Sequence, residues 1–349
     1  HLHGSIAIIQ KALETLSKLK NYRQALPGEF TRRAFANEKL DLAEIEGLAD
    51  LIEAETEAQR IQALKVLSGK LGEKVKEWRS MIIRAMALIE VTIDFADEEV
   101  PTDVTKDVLS ILTFINNDLS IESESIIVAE RIRNGFEVAI VGKPNVGKST
   151  LLNALAGREA ALTSEEAGTT RDVIEVKMDL GGLPVTMMDT AGLREAVNSV
   201  EVKGINKALQ KAKSADLVIL LTENGETPPE IENDNVLKFI SKCDNGGMPD
   251  GVSGVTGYGL ENMISSIRHK LEIRVQNQGI ATRFRHKEAI DSSIGKIIKV
   301  KKLVKDGPEF YELAAEELRQ IAYTLDELFG KVDVENVLDE IFSSFCLGK

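Results

Sequence analysis

The segment Gly142-Lys143-Pro144-Asn145-Val146-Gly147-Lys148-Ser149 places two glycines, a lysine and a hydroxyl at the spacing G-x-x-x-x-G-K-[ST]. The chemistry of this combination is phosphate binding. The glycines let backbone N–H groups curl around phosphate oxygens, Lys148 supplies a positive charge, and Ser149 offers a hydroxyl to Mg²⁺. Asn145, Val146, Gly147 and Thr150 complete the expected phosphate contacts. The elements that must position them are also legible, because the loop lies between the apolar run Phe136–Val141 and the helix-like Thr150–Leu155.

A second segment, Asp189-Thr190-Ala191-Gly192, follows the apolar stretch Leu183–Met188. It offers a carboxylate on the magnesium side and a glycine N–H to a γ-phosphate. Between the two lies Gly168-Thr169-Thr170-Arg171-Asp172, where a switch threonine would meet Mg²⁺ and the γ-phosphate; Thr170 is the first choice and Thr169 the second. The order of the three segments resembles the translation-factor-related GTPases that include Era-like proteins. Ras-type enzymes position the attacking water with a glutamine just after this turn, but Leu193 stands there and can neither donate nor accept a hydrogen bond. Glu195 and Glu201 are the nearby acidic choices.

Guanine selection is expected from Ser241-Lys242-Cys243-Asp244, a form of N-K-x-D with serine in place of asparagine. Asp244 can accept from guanine N1 and N2, while the Lys242 stem packs on the base. The following base-contacting loop is Ser253-Gly254-Val255-Thr256-Gly257-Tyr258. Ser253 follows Asp244 by nine positions, too few for a helix of ~11 residues plus a strand of ~5. The expectation is therefore that residues are absent around 223–252.

Other segments resemble one family, the MnmE (TrmE) tRNA-modification GTPases, over nearly the whole chain. Pro27-Gly-Glu-Phe-Thr-Arg-Arg-Ala-Phe35, Lys39-Leu-Asp-Leu42, Ala49-Asp-Leu-Ile52 and Ile93-Asp-Phe-Ala-Asp-Glu-Glu99 precede the phosphate loop, and Phe342-Ser-Ser-Phe-Cys346-Leu-Gly-Lys349 ends the chain in the family's terminal signature. The resemblance implies that Glu201 orients water and that K⁺ is held by Asn145, Ser164, Glu166 and Thr169, the last three on a first-switch loop at about Thr163–Thr170 that closes when two G domains meet. A monovalent cation near the β–γ bridge has its own logic, since phosphoryl transfer needs positive charge there and no arginine finger is assigned. The resemblance further implies a homodimer, a tetrahydrofolate-derived one-carbon unit, an MnmG-type partner using FAD and NADH, and installation of an aminomethyl-type group on the wobble uridine of tRNA. Cys346 has two readings: a thiol acting as nucleophile or acid in tRNA modification, or a buried structural cysteine.

The fold expected is an α/β P-loop GTPase domain inserted into an all-α helical domain, with the C-terminal remnant of an α+β N-terminal domain. Residues 1–36 are the remnant, 37–134 the first part of the helical domain, 135–272 the G domain and 273–349 the second helical part. His1–Ile9 reads as a strand joining a helix in mid-domain, with most of a folate-binding domain preceding it by resemblance. Leu71, Val75, Trp78, Ile82, Met86, Ile89 and Ile93 recur at three and four and predict one apolar face of a long helix. Leu313, Leu318, Ile321, Leu325 and Leu328, then Val334, Val337, Leu338, Ile341 and Phe345, predict matching helices after the insert.

Composition sets limits. The chain has 349 residues, 43% of them hydrophobic, enough for two or three cores. No apolar run reaches the ~18 residues of a membrane span, and two cysteines, Cys243 and Cys346, cannot build a disulfide framework. A cytoplasmic enzyme without membrane contact is expected. A net charge of −13 argues against a broad basic nucleic-acid surface, although Arg283–Lys287 and Lys296–Lys305 could touch RNA locally. Two other functions stand as alternatives: an Era-like ribosome-assembly GTPase, and a nucleotide-switched dimerisation scaffold.

Overall fold

The computed structural model describes residues 1–94, 104–158, 162, 175–189, 213–224, 233–275 and 279–330. In chain order the elements are α1 (Ile6–Ser17), α2 (Glu29–Ala36), α3 (Leu42–Glu53), α4 (Glu57–Leu67), α5 (Lys70–Asp94), α6 (Thr105–Asn134), β1 (Phe136–Gly142), α7 (Lys148–Ala156), β2 (Glu175–Leu180), β3 (Leu183–Asp189), β4 (Leu217–Thr222), β5 (Val236–Ile240), α8 (Leu260–Val275), α9 (Phe284–Asp306) and α10 (Tyr311–Glu327). They gather into two compact units. One holds the described residues of His1–Ile52, Leu64–Ser120 and Glu288–Lys349, the other those of Glu53–Ala63 and Ile121–Lys287.

The helical unit is built on the apolar periodicity of α5. Leu71, Val75, Trp78, Ile82, Ala85 and Ile89 are buried along one side of that helix, while Met86 and Ile93 are only half-buried. Ala85, a residue the sequence pattern passes over, lies at the centre of the stripe. Helix α10 answers with Tyr311, Ala314, Ala315, Leu318, Ile321 and Leu325, and the two helices pack together. Arg79 adds an ion pair to Asp326 at 2.9 Å, and Arg319 one to Glu90 at 2.9 Å. Trp78 is fully buried, so its indole N–H needs a partner. It donates to Asp118 at 2.7 Å, and Lys74 approaches the same carboxylate at 2.7 Å.

Local signals set the helix ends. Asp41 and Glu44 form a reciprocal capping box at the start of α3: the Asp41 N–H donates to the Glu44 carboxylate at 2.7 Å and the Glu44 N–H to Asp41 at 2.8 Å. Gly135 ends α6 with φ +95 and its N–H on the Arg131 carbonyl at 2.8 Å, the left-handed close that a side chain would strain. The chain enters β1 at the next residue.

The second unit contains a five-stranded sheet in the order β2-β3-β1-β4-β5, parallel except for the antiparallel β2–β3 hairpin. β1 has β3 on one side and β4 on the other, and the order changes direction at this strand, so the ligand crevice of such a sheet lies beyond its C-terminal end. Strand residues Val138, Ile140, Val185, Met187, Ile219 and Leu221 pack with Leu151, Leu152 and Leu155 of α7 in one core.

Two sequence expectations fail. Residues 1–9 contain no strand, and α1 begins at Ile6 with none of its residues buried, so the Ile-Ala-Ile-Ile run is helical and exposed. Leu313 is 58% exposed, because the inward face of α10 runs through Ala314 and Ala315 instead. Between Asp244 and Ser253 there is no helix, as their spacing requires: the chain turns back directly, and Gly251 makes an isolated parallel bridge to Ile240. Val334, Val337, Leu338, Ile341 and Phe345 lie outside the described residues.

Replacing the indole tests the buried contact. Trp78→Phe is expected to lower stability by about 1–3 kcal/mol, through loss of a bond to a charged acceptor and of ring volume. Urea unfolding measures it, and an unchanged midpoint would show that the Trp78–Asp118 bond contributes nothing.

Candidate nucleotide site

The loop after β1 has the backbone that phosphate binding requires. Asn145 takes φ +61 and Gly147 φ +102, the left-handed conformations from which anion-binding loops gather inward N–H groups. A Cβ on Gly147 would meet nothing within 4 Å, so conformation rather than crowding demands glycine there. At Gly142 the demand is space, because a Cβ would lie 2.5 Å from the Leu221 carbonyl of β4. Lys148 is buried, and its ammonium donates to the carbonyls of Gly142 and Lys143, both at 2.8 Å, closing the loop on its own side chain.

The serine hydroxyl and the aspartate carboxylate lie side by side. Ser149, in the first turn of α7, donates its hydroxyl to the Asp189 carboxylate at 2.6 Å, and Asp189 is 1% exposed at the end of β3. Parallel register sets Asp189 opposite Ile140 of β1, which brings the two oxygens together. A hydroxyl and a carboxylate at this distance, beside a loop of inward N–H groups, are hard oxygen donors suited to a Mg²⁺ that also holds phosphate oxygens.

The base side lies at the ends of β4 and β5. The Ser253 hydroxyl donates to Asp244 at 2.6 Å and accepts the N–H groups of Val255 at 3.2 Å and Thr256 at 3.0 Å. Ser253 thus holds the Asp244 carboxylate by one oxygen. Gly254 lies against α7: a Cβ there would be 2.8 Å from the Leu151 nitrogen and the Thr150 carbonyl group. Lys242, at φ +60, pairs with Glu223 at 2.5 Å on the surface. Tyr258, whose role the sequence did not announce, staples the loop, its hydroxyl donating to the Met248 carbonyl and accepting the Gly247 N–H, both at 3.1 Å. Gly246 and Gly247 preceding an aromatic are the only sequence hint of it.

Of the residues singled out from sequence, Asn145, Val146, Gly147, Lys148, Ser149, Thr150 and Asp189 come together at the phosphate end, and Lys242, Asp244, Ser253 and Gly254 at the base end. Ser164, Glu166, Thr169, Thr170, Thr190, Ala191, Gly192, Leu193, Glu195, Glu201 and Cys346 lie outside the described residues. No helix among the described residues is long and apolar enough to cross a membrane.

The sheet order, the phosphate loop and the Ser149–Asp189 pair define a nucleotide-binding domain of the P-loop class. Sequence comparison gives the family: the MnmE helical domain matches residues 42–346, and the GTP-binding protein TrmE N-terminus matches residues 1–39. The tRNA modification GTPase MnmE of Ruegeria sp. (strain TM1040) is 53% identical over 349 residues, covering 100% of this chain and 82% of that protein. That of Roseobacter denitrificans is 53% identical over 350 residues with the same coverage. The chain belongs to the MnmE family of tRNA modification GTPases. Among solved structures, Aquifex aeolicus Era bound to GDP and AlF4⁻ is 27% identical with a TM-score of 0.30, covering 38% of this chain and 56% of that one. The G domain of the T. maritima FeoB iron transporter is 26% identical with a TM-score of 0.29, covering 40% and 99%.

The relatives also correct the expected gap around 223–252. An alignment of 349 positions over all 349 residues leaves no room for an extra helix and strand of ~16 residues. The short connection is shared, and the Gly251–Ile240 bridge with the Tyr258 staple replaces the longer one.

Gly254→Ala tests the seating of the base loop on α7. The methyl group would meet backbone, which cannot rotate away, so the variant is expected to weaken guanine-nucleotide binding by about tenfold and to lose about 1–3 kcal/mol of stability. Titration calorimetry with GDP, paired with thermal unfolding, measures both; wild-type values would show that the loop is not seated there in solution.

Proposed function

We propose that this chain hydrolyses GTP to drive modification of the wobble uridine of tRNA, as a cytoplasmic homodimer working with an MnmG-type partner that uses FAD and NADH. The observation that carries the GTPase half is the Ser149–Asp189 pair beside the Lys148-closed loop. The tRNA half is supported by membership of a family whose relatives are named for it. The one-carbon unit comes from a tetrahydrofolate derivative, and the product is of the aminomethyl or carboxymethylaminomethyl type. Ser149 and Thr170 hold Mg²⁺, which supplies positive charge to the β- and γ-phosphates.

Hydrolysis needs two further groups. Leu193 cannot orient water, so Glu201 takes that role through a hydrogen-bond relay. No arginine finger is assigned, so K⁺ held by Asn145, Ser164, Glu166 and Thr169 at a G-domain dimer contact supplies the charge. The left-handed backbone of Asn145 supports this part of the reading, since it sets that residue apart from the loop's regular turn.

Removal of Glu201 is then expected to slow hydrolysis by about 10²-fold or more with little change in nucleotide affinity, because its contact exists mainly in the transition state. Asn145→Ala is expected to blunt the preference for K⁺ over Na⁺. Equal rates in both salts at matched ionic strength, with a G domain that stays monomeric with GDP and aluminium fluoride, would sink the potassium-dimer mechanism.

Mass spectrometry of wobble uridines from a deletion strain complemented with the full-length protein tests the tRNA half. Restored nucleosides support it and unmodified ones remove it. In the same assay Cys346→Ser is expected to impair modification while leaving GTP turnover nearly intact; equal loss of both would make Cys346 a packing residue.

A further inference from the structure

One buried carboxylate lies at the end of the sheet opposite the phosphate loop. Asp216, just before β4, is 6% exposed; its N–H donates to the Glu137 carbonyl at 2.9 Å, and its carboxylate accepts the Glu137 N–H at 2.9 Å. Its charge is met by two arginines from helix ends. Arg131, in the last turn of α6, brings Nε to 3.1 Å from one carboxylate oxygen and also reaches Glu137 at 4.0 Å. Arg274, in the last turn of α8, lies 3.6 Å from the same oxygen and donates to the Asp216 carbonyl at 2.7 Å. Two cations thus balance two carboxylates, as a carboxylate taken out of water requires.

The two helices occupy different places in the chain's path. α6 delivers the chain to β1 and α8 carries it away from the sheet, so Asp216 binds the way in and the way out to the same pair of strands. The two sides are not held alike. The last turn of α6 has further ties, because the buried Gln62 donates to the Ala129 carbonyl at 2.8 Å and Gln59 to the Arg133 carbonyl at 2.9 Å. At the end of α8, beyond the buried Leu271, Arg274 is the one polar side chain that reaches another element among the described residues. α8 starts at Leu260, soon after the loop of Ser253 and Gly254, and its 16 residues span about 24 Å. It is a rod from the base loop to Asp216.

We infer that Asp216 is a latch on the exit of the sheet, with α6 as the fixed side and α8, through Arg274, as the side that can be released. Pinned at the base loop and at Asp216, α8 carries a shift at one end to the other instead of losing it in fraying of its last turn. Released, it leaves the segment after Val275 uncoupled from the nucleotide end. The use of this latch in tRNA modification rests on the function proposed above; its existence does not.

Hydrogen exchange of the full chain, followed by mass spectrometry, reads the two sides separately. Arg274→Gln leaves Asp216 its pairing with Arg131, and it is expected to speed exchange of the amides of residues 272–275 about tenfold while those of 129–134 stay within about twofold of wild type. Asp216→Asn is expected to show the same asymmetry, because Gln59 and Gln62 still hold α6. No acceleration at 272–275, or equal acceleration in both segments, would overturn the latch. GTP turnover by Arg274→Gln is expected to stay within about twofold of wild type, since the seven residues of β1 set Asp216 ~20 Å from the phosphate loop. Restoration of modified wobble uridines by the same variant is expected to fall about fivefold. Unchanged modification, or equal loss of both activities, would overturn the coupling role. A wild-type chain that restores no modified nucleosides would remove the tRNA reading and the coupling role with it, while the exchange result still decides the latch.

Discussion

The hydrogen bond from Ser149 to Asp189 ties together parts of the chain that are 40 positions apart, and the nucleotide end of the sheet depends on it. A carboxylate that is 1% exposed is costly unless its charge is compensated, and here a hydroxyl at the first turn of α7 begins that compensation. The helix N-terminus adds partial positive charge on the same side. Two oxygens are therefore already assembled at the end of β3. The geometry has a price in sequence freedom: β3 must lie parallel to β1 with Asp189 opposite Ile140, and β1 must end in a glycine that lets β4 approach to within reach of the loop.

Two constraints of different kinds meet at that loop. Gly142 is fixed by packing, since any side chain would strike the Leu221 carbonyl, whereas Gly147 is fixed by its left-handed φ with open space around it. The first belongs to the stability of the sheet and the second to the direction of the N–H groups. Both were legible, because the template G-x-x-x-x-G-K-[ST] encodes them together with the strand and helix on either side. The apolar stripe of α5 was legible for a similar reason, a period sustained over 25 residues. It departs from the expected pattern at Ala85, which is buried, and at Met86 and Ile93, which are only half-buried.

What the sequence hid depends on closure in space rather than on period. The Asp244–Ser253 contact and the Tyr258 staple join residues ten or so apart through a turn with no regular pattern, and nothing in their types predicts the partner. The interval is too short for a helix and a strand of average length, and the chain needs only one bridge, Gly251 to Ile240, to bring the loop back to the sheet. Positive φ at Gly246 and Gly247 makes so tight a return possible. The strand expected within His1–Ile9 failed for the opposite reason: the short apolar run Ile6–Ile9 carries too little period to separate strand from helix.

The shortened connection also bears on Ser241. Where β5 continues into a longer excursion, the loop after the guanine motif can be anchored by its own helix. Here Asp244, Ser253 and Gly254 are held by a staple, a bridge and direct seating on the α7 backbone, all close to the end of β5. A serine that bonds Thr222 fastens β5 to β4 at that point, within one residue of Lys242 and its left-handed turn. Ser241 at one end and Ser253 with Gly254 at the other thus hold the turn that carries Asp244.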